Sequence, residues 1–546
     1  MKWSNIFVKA FFTTTFFCCV MFAFSQTGVG SEEVIVVKEY EATIQDAQRI
    51  ALQPAIPEVE DKAPTFDYSI PKAEYKNFVF EPNPLKPIGI GKEKLEKFNA
   101  SFIKLGFGGH LNPLAQLAYN DNRTANLKFG VLYNHYSMYG FKNKLQRFSD
   151  DEAGVYVRYF PKTFELGTAF NFHNYRTHFY GLSVDTLLTD SIVKPKDARQ
   201  VFRTYDAQLY FRNAQKNNAG IDFNQDFRFN YLQEIFGKAN EWFLAGNTDF
   251  KKKFLVNHFA LGHFDFDASQ LKHDTIKLQR NIFRFALGYG YDNDDWQAKA
   301  QIGMAVFGKK VFPTADLHIE KRLYQHSVIA YLDYQLNYHK NSLLTFAERN
   351  RFVYNNAPLT NTLAGDFGAG LKGTIANFSY NAAFHLNHLQ QLALFVNDTN
   401  DYRRFTTVYD SNTLVYNGHV ELGYNAKEWL RFSVIADYNH YQLKNQQRAW
   451  HEPNLRVTFR ANYVWKNKIR VSVDVFGLSN SYALLKGGEI ATIKGIADVN
   501  LSAEYLMNKR FSFFGTLNNI GHFKYQRWYG YPSFGINGVL GAKFSF

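Results

Sequence analysis

The sequence predicts an all-β protein: a transmembrane antiparallel β-barrel of about 22 strands, with 16–20 strands as the alternative, preceded by an extended proline-rich segment. Three observations support this prediction. Apolar and polar residues alternate with a period of two over roughly the last four-fifths of the chain. Aromatic residues make up 17% of the sequence although its mean hydropathy is only −0.33. Short polar turns alternate with longer connections, as they do in barrels that cross a bilayer.

The clearest alternation lies at the C-terminal end of the chain. One face of this stretch carries Ile536, Gly538, Leu540, Ala542, Phe544 and Phe546. The other face carries Asn537, Val539, Gly541, Lys543 and Ser545. Apolar or small residues on one side and mostly polar ones on the other predict a half-buried strand. Because a membrane leaves no water to pair with backbone groups, such strands are stable there only in a closed sheet.

The composition supports a barrel more than a soluble fold. The chain contains 54 Phe and 34 Tyr, which fits the aromatic girdles of a membrane barrel. After residue 25, no apolar run approaches the roughly 20 residues that a membrane-spanning helix needs. A large soluble β-sandwich or propeller would also alternate, and it is the alternative fold class.

Residues 1–25 are expected to be a secretory signal peptide. Lys2 and Lys9 supply its basic part, and residues 10–24 supply its apolar part. Ala23 and Ser25 are the small residues that a signal peptidase needs before the cleavage site. The mature chain is therefore expected to begin at Gln26.

Both cysteines of the chain, Cys18 and Cys19, lie in the signal peptide. Their loss excludes disulfides, thiolate metal sites and a cysteine nucleophile from the mature protein. The formal net charge falls from +13 to +11 when the two lysines of the signal peptide leave. The basic residues form no cluster, so we expect membrane lipids and no nucleic acid as partners. The 16 histidines are scattered without ligand spacing, so we expect no metal and no cofactor.

Residues 26–99 differ from the rest of the chain in composition and in hydrophobic pattern. They hold seven of the 14 prolines and show no clear alternation. Because proline lacks a backbone donor, this segment is expected to be extended rather than packed. Short apolar stretches at 66–70 and 75–80 suggest docking on a partner or in the barrel lumen, and a simple spacer is the alternative. The predicted domains are the signal peptide (1–25), this segment (26–99) and the barrel (100–546).

The strand count comes from the short turns. Ten polar turns are predicted near Asn120-Asp121, Pro161-Lys162, Gln215-Lys216, Lys251–Lys253, Asn293-Asp294, Lys321-Arg322, Ala376-Asn377, Ala426-Lys427, Asn467-Lys468 and Asn508-Lys509. Ten tight turns join twenty strands, and one further strand at each end makes about 22. The longer connections are predicted at residues 140–152, 182–199, 341–361 and 521–535.

Several strands carry charges on one face only. The alternating stretches 430–439, 469–477 and 493–502 place apolar residues on the opposite face. A Lys or Arg facing lipid at mid-bilayer costs about 2–4 kcal/mol, so these charges must face the lumen. They are Arg431, Asp437, Arg470, Asp474, Lys494, Asp498 and Glu504. A water-filled wall linked by ion pairs is expected, with a selective ion or solute path as the alternative.

Candidate catalytic residues are few. His135 and Ser137 share one strand face near a loop end, where barrel lipases and deacylases carry such a pair. Nucleophilic catalysis also needs a group that orients the histidine and an oxyanion site, and the sequence identifies neither. Membership of an aromatic girdle explains the pair more simply. We therefore expect no enzymatic activity and keep an outer-membrane hydrolase as a minor alternative.

The closing segment resembles the last hairpin of TonB-dependent receptors. It carries Leu517-Asn518-Asn519, then Tyr525, Gly530-Tyr531-Pro532 and Gly535, before the terminal Phe546. Near the mature start, the segment Glu32-Glu33-Val34-Ile35-Val36-Val37 resembles the short box by which TonB pairs with these receptors. The resemblance implies an integral barrel of a Gram-negative outer membrane with its N-terminal segment in the periplasm. It also implies that Phe546 is read by the barrel assembly machinery, and that Val34, Ile35, Val36 and Val37 contact TonB.

The sequence departs from this family in one respect. A folded plug longer than the 74 residues of segment 26–99 normally lies between the box and the barrel. The resemblance still implies uptake or passage of a nutrient or chelate, with TonB or a surface lipoprotein as a partner. The residues expected to contact an extracellular ligand are Trp450, His451, Tyr525, Arg527, Trp528 and Tyr531. The alternative is a non-transporting scaffold of an assembly or secretion complex that docks through residues 26–99.

Overall fold

A computed structural model describes residues 101–546 of the chain, apart from 110, 122–123, 125, 141–144, 182–195, 214–219, 275, 325–326 and 356–357. The predicted signal peptide, the proline-rich segment and the TonB-box-like residues 34–37 lie outside the described residues. Among the described residues, no helix is both long enough and apolar enough to cross a membrane.

The described chain forms 28 strands and one short α-helix, numbered here in chain order. They are β1 (Phe102–Gly108), β2 (Leu114–Asn120), β3 (Leu127–Tyr139), β4 (Arg147–Tyr159), β5 (Phe164–His178), β6 (Arg199–Asn213), β7 (Ile221–Glu234), β8 (Ala239–Lys253), β9 (His258–His273), β10 (Ile276–Asp292), β11 (Trp296–Phe307), β12 (Lys310–Tyr324), β13 (Val328–His339), α1 (Leu343–Arg349), β14 (Thr362–Ile375), β15 (Phe378–Gln390), β16 (Leu392–Asn397), β17 (Phe405–Asp410), β18 (Thr413–Lys427), β19 (Leu430–Gln442), β20 (Leu455–Trp465), β21 (Ile469–Leu478), β22 (Ser481–Leu484), β23 (Ile490–Ile493), β24 (Ile496–Leu506), β25 (Phe511–Asn518), β26 (Gln526–Trp528), β27 (Tyr531–Pro532) and β28 (Asn537–Ser545).

Twenty-two of these strands form one closed antiparallel sheet. Each pairs with its neighbours in sequence, and β1 closes the barrel on β28 with Phe102 opposite Ser545. Beyond the strands, Ser101 and Phe546 exchange both backbone hydrogen bonds, at 3.3 and 2.9 Å. The predicted fold class and the count of 22 strands are confirmed. The six remaining strands form three two-stranded hairpins outside the barrel: β16–β17, β22–β23 and β26–β27.

The alternation in the sequence explains which way the strands face. On β10, Phe283, Phe285 and Leu287 are exposed on one face. Arg284, between them, points the other way and pairs with Asp265 of the neighbouring strand at 2.5 Å. Because exposed aromatic and aliphatic side chains are stable against lipid and charges are not, the apolar face is the outer one.

The predicted turns mark one end of the barrel, here called the turn end. Most fall between barrel strands, but three turns begin one to five residues later than predicted because the predicted residues still belong to strands. Lys251–Lys253 end β8, Lys321 and Arg322 belong to β12, and Lys427 ends β18. The strands run beyond the roughly 10 residues that cross a bilayer, so charged residues at their ends remain in water. Gln215 and Lys216 lie outside the described residues.

The opposite end, here called the loop end, carries the long connections. The prediction for 140–152 is wrong in extent, because β4 already begins at Arg147. The predicted alternation across 493–502 is also wrong, because β23 ends at Ile493 and β24 begins at Ile496. The stretch covers the end of a hairpin strand and the start of a barrel strand. Lys494 lies between them, in a connection and not in the barrel wall.

The lumen wall carries the expected ion pairs. Arg460 pairs with Asp474 at 2.5 Å, and Arg470 lies 3.6 Å from Glu504 on the next strand. Asp437 accepts a bond from His419 at 2.7 Å. Because partners lie on adjacent strands, most of these bonds span a single ladder step, as cross-strand pairs do.

Candidate functional site: a folded cap at the loop end

Five loop-end connections fold together into a structure that we call the cap. They are residues 340–361, 391–412, 443–454, 479–495 and 519–536. The first contains α1, and the second, fourth and fifth contain the three hairpins outside the barrel. The cap is therefore built from segments that are far apart in the chain.

The helix α1 is specified locally. Ser342 caps its N-terminus: the Ser342 hydroxyl accepts a hydrogen bond from the Thr345 N–H at 3.1 Å. Thr345 returns a bond, because its side chain accepts from the Ser342 N–H at 2.9 Å. Leu343, Phe346 and Ala347 are buried, and this spacing places them on one helical face. The helix therefore presents one apolar side to the rest of the cap.

The cap has its own hydrophobic core. Its members from the cap are Leu343, Phe346, Ala347, Phe352, Val353, Ala393, Phe395, Phe405, Trp528 and Tyr531. Tyr531 stacks on Phe352 with ring centroids 3.6 Å apart, and Phe405 meets Trp528 at 5.4 Å. The same core includes Phe202 and Leu271 of barrel strands. Burial of aromatic rings therefore joins the cap segments to each other and to the barrel wall.

The last hairpin also contacts residues just outside the loop ends of β4 and β5. The Pro532 carbonyl accepts hydrogen bonds from the Gln146 amide at 2.8 Å and from the Tyr180 hydroxyl at 3.2 Å. Burial raises the pKa of Tyr180 far above its ordinary value, so this hydroxyl stays protonated and can donate. The two bonds join chain segments more than 350 residues apart.

A buried ion pair fixes α1 to the barrel wall. Glu241 of β8 and Arg280 of β10 lie 3.2 Å apart, and their side chains are 2% and 3% exposed. The other Glu241 oxygen accepts a bond from the Leu344 N–H at 3.0 Å. Arg280 also donates to the Asn341 carbonyl. The two charged side chains thus hold the first turn of α1, through Leu344, and Asn341, the residue before the helix N-cap Ser342.

Asp410 joins two cap segments by accepting backbone hydrogen bonds. Its carboxylate receives the N–H groups of Lys444, Asn445 and Gln446 at 2.6–3.0 Å. The Thr413 hydroxyl donates to it at 2.7 Å. Burial raises the pKa of Asp410, but these hydrogen bonds outweigh burial and hold the pKa below its ordinary value of 3.8. Asp410 therefore stays ionised while the cap is folded.

We expect the Asp410 linkage to fail in acid. A carboxyl group with a lowered folded pKa contributes stability above its unfolded value, here near 3.8, and loses it as the pH falls through the folded value. Amide exchange in residues 443–454, corrected for its intrinsic pH dependence, should be faster in Asp410→Asn than in the unchanged protein at pH 7. The difference between the two proteins should be fully present above pH 3.8 and should shrink as the pH falls further, through the lower folded pKa. Asp398→Asn, which alters a turn within one segment, is the control; equal exchange in Asp410→Asn and the unchanged protein at pH 7 contradicts the linkage.

All six predicted ligand-contact residues belong to the cap, and five of them lie in its interior. Trp450, His451, Trp528 and Tyr531 are buried, and Arg527 is half-buried and donates to the His451 carbonyl. Tyr525 lies apart, against Phe476 of β21 at 6.1 Å. The aromatic residues therefore form the interior of the cap in this conformation, and ligand contact by them remains a prediction that requires the cap to open.

His451 is held as a neutral side chain. It is fully buried, and its Nδ1 lies 3.0 Å from the Phe395 carbonyl. Burial, reinforced by the nearby Arg527 charge, lowers the pKa of His451 to about 3 although the carbonyl bond opposes the shift. His451 also has a positive φ of 59°, which is uncommon for a residue other than glycine. Its role in the cap is structural and does not change between pH 5 and 8.

Beneath the cap lies a cavity of about 250 Å³. Leu392 and Leu394 of the cap line it together with Tyr441 of β19. Glu452 and Arg349 stand at its edge and pair at 3.0 Å. The cavity is thus bounded by both the cap and the barrel wall.

Glu452 is shared by three arginines. Arg456 lies 2.8 Å from its carboxylate and Arg527 lies 3.7 Å away, in addition to Arg349. One carboxylate cannot neutralise three guanidinium groups, so the cluster keeps a positive charge. Because guanidinium groups bind carboxylate and phosphate oxygens in pairs, the cluster suits an anionic ligand. The sequence analysis missed Arg349, Glu452 and Arg456. Glu452 and Arg456 are only four residues apart, but no spacing could have joined them to Arg349 and Arg527, which belong to other connections.

No protein-family model matches the chain, and no curated protein matches it. Solved structures do. The FrpB iron transporter from Neisseria meningitidis superimposes with a TM-score of 0.65 at 11% identity, covering 83% of this chain and 82% of that one. This barrel has the fold of a TonB-dependent receptor. The ferric-catecholate import receptor Fiu from E. coli K12 gives 0.64 at 10% identity, covering 82% of each chain. The copper transporter OprC gives 0.63 at 10% identity, covering 83% of this chain and 82% of that one.

The receptor-like barrel also shows where the other predicted residues lie. Phe546 ends the closing strand beside the seam, with its ring stacked on Phe544 at 5.7 Å. His135 and Ser137 lie on the outer face of β3, away from the cap. Within the described residues, Asp150, Glu152 and His173 form a group whose potential ligand atoms lie within 4.8 Å of one another. Sequence spacing could not reveal this group because its members lie on two neighbouring strands.

Proposed function

We propose that this protein is an outer-membrane receptor that admits an anionic nutrient or chelate and that its cap gates the loop end. The observation that carries the proposal is the arginine cluster around Glu452 beside a cavity that the cap and the barrel wall line together. The fold of iron and copper transporters supports transport across the outer membrane in general. The substrates of these transporters, iron, a ferric catecholate and copper, suggest metal chelates as the first class to test.

In this proposal the loop end faces outside the cell and the turn end faces the periplasm. Opening of the cap would bring Trp450, His451, Arg527, Trp528 and Tyr531 into contact with ligand, and Tyr525 would line the rim. Val34 to Val37 would engage TonB, and Phe546 would be read during barrel assembly. A surface lipoprotein that covers the loop end is a further partner in this scheme. The scaffold alternative depends on residues 26–99, which lie outside the described residues.

The test uses ferric tris(catecholate), a complex with three negative charges, and the purified full chain. We expect Arg349→Ala and Arg456→Ala each to weaken its binding about 10-fold, since hydrogen bonds to charged groups contribute about 1.5–3 kcal/mol. Isothermal titration measures the affinity directly. Arg470→Ala, which removes a lumen arginine paired with Glu504, is the matched control and should bind as before. Equal affinity in all four proteins would exclude the cluster as the anion site.

A further inference from the structure

The outer face of β3 and β4 carries a polar group just above its apolar belt. Val131 and Tyr133 of β3 and Val155 and Val157 of β4 are exposed and share one face of the hairpin. The next residues on that face towards the loop end are His135 and Ser137 on β3, and Asp151 and Ser149 on β4. This group lies where the lipid-facing wall meets the polar surface, separate from the cap.

Three of these side chains form a connected chain of hydrogen bonds. His135 stands directly opposite Asp151 in the ladder, and its Nδ1 lies 2.6 Å from the carboxylate. The other ring nitrogen, Nε2, lies 3.3 Å from the Ser137 hydroxyl oxygen. With Nδ1–H donating to Asp151, Nε2 is left as the acceptor for the Ser137 proton. This is the arrangement of a serine nucleophile, a histidine base and an orienting carboxylate.

Asp151 is itself held in place. Its second oxygen accepts bonds from the Ser149 hydroxyl at 3.0 Å and from the Asn174 amide at 3.4 Å. Arg203 in turn donates to the Asn174 carbonyl oxygen at 3.4 Å. The carboxylate is therefore oriented from two sides, and the histidine ring follows it. The third group that the sequence analysis lacked is Asp151, which the predicted 140–152 loop had excluded from the strand.

A groove of about 430 Å³ is lined by Asp151, the third member of the chain of hydrogen bonds, but not by His135 or Ser137. Tyr133, Phe172 and Tyr205 form its apolar side, and Arg176 and Arg203 form its cationic side. An amphipathic molecule with acyl chains along the aromatic residues and an anionic headgroup on the arginines fits this division. Membrane lipids of an outer leaflet have this chemistry.

We propose that Ser137, His135 and Asp151 form a second functional site that hydrolyses acyl esters of an anionic membrane lipid. Ser137 Oγ attacks the ester carbonyl while His135 takes its proton. The ester C–O bond then breaks, His135 returns the proton to the departing alcohol, and the acyl group remains on Ser137. Water, deprotonated by His135, releases the fatty acid and restores the serine. Asp151 positions the imidazole and does not touch the lipid.

Access to Ser137 requires a local movement. The residue is 3% exposed, and its N–H donates to the Pro113 carbonyl at 3.3 Å. The connection between β1 and β2 therefore lies directly beside the nucleophile. A substrate therefore reaches Oγ only when the contact between Ser137 and Pro113 opens.

The test uses the full chain in detergent micelles with dipalmitoyl phosphatidylglycerol and, in a parallel arm, with lipid A. Free fatty acid is measured by mass spectrometry, and a fluorophosphonate probe reports an activated serine. Release of fatty acid should fall roughly 10²- to 10⁴-fold in Ser137→Ala and in His135→Ala, which lose the nucleophile and the base. Fluorophosphonate labelling should disappear in Ser137→Ala. The arm that supports release identifies the lipid as a glycerophospholipid or as lipid A.

Two further variants test whether Asp151 and Arg176 act in the reaction and in lipid binding or only stabilise the fold. Asp151→Asn should lower kcat with little change in KM, whereas a merely structural role would not divide the two constants. Arg176→Ala should reduce the preference for phosphatidylglycerol over phosphatidylcholine. Ser472→Ala, on the lumen side of β21, is the control, and heat-modified mobility on gels verifies that each barrel is folded. If the folded unchanged protein releases no more fatty acid than Ser137→Ala in both arms and is not labelled, the proposal is wrong.

Discussion

Glu241→Gln is expected to destabilise the cap by about 3–5 kcal/mol, because it leaves the Arg280 charge buried without its partner. The Leu344 N–H and the Asn341 carbonyl, both held by this pair, would lose their fixed positions. Hydrogen exchange of the amides of α1 measures the effect, and an acceleration on the order of 10²- to 10³-fold is expected.

Two comparisons make this prediction specific. Asp474→Asn removes one partner of a more exposed pair, Arg460 and Asp474, which are 36% and 32% exposed. It should cost less than about 1 kcal/mol and leave α1 unchanged. Replacing the whole buried pair, with Glu241→Leu and Arg280→Met together, should recover most of the loss because no charge remains unpaired. If Glu241→Gln exchanges no faster than Asp474→Asn, the pair does not anchor α1.

Tyr531→Ala is expected to open the cap. The ring stacks on Phe352 and meets Tyr180 at 4.8 Å, and the hydroxyl donates to the Arg403 carbonyl. Truncation of a buried aromatic residue to alanine costs about 3–5 kcal/mol. Because Tyr531 joins the last hairpin to Phe352 in residues 340–361 and to Tyr180 beyond the end of β5, its loss should separate these segments rather than leave a small void.

Conductance in planar lipid bilayers measures this opening. The Tyr531→Ala barrel should carry a higher and noisier current than the unchanged protein. Tyr525→Ala is the matched control, since Tyr525 lies in the same connection but contacts Phe476 and not the core of the cap. Equal currents in all three proteins would mean that the cap does not gate the lumen.

The sequence predicted the barrel well for a physical reason. A strand between lipid and water must alternate, so stretches such as 469–477 carry their own orientation, and tight turns mark where it ends. Strand residues that project beyond the bilayer no longer face lipid, so they need not alternate between apolar and polar. The sequence therefore predicts a turn at Lys251–Lys253, which end β8, and a loop at Asp151, which lies in β4.

The cap could not be predicted in the same way. Its core joins Phe352, Phe405 and Trp528 from connections that show no common period, and an aromatic residue in a loop fits either a ligand surface or a buried interior. The prediction that Trp450 and Trp528 line an exposed mouth illustrates this ambiguity. The only local signal for α1 is the helix N-cap Ser342, followed by apolar residues at Leu343, Phe346 and Ala347, which are three and four residues apart.

The bonds from Gln146 and Tyr180 to Pro532 bear on the order of folding. A contact between segments so distant in sequence has a high loop-closure cost until the chain between them is already arranged. We therefore expect these bonds to form after β1 has closed on β28 and brought the two ends of the barrel sequence together. Closure of the barrel would then be the step that allows the last hairpin to join the core of the cap.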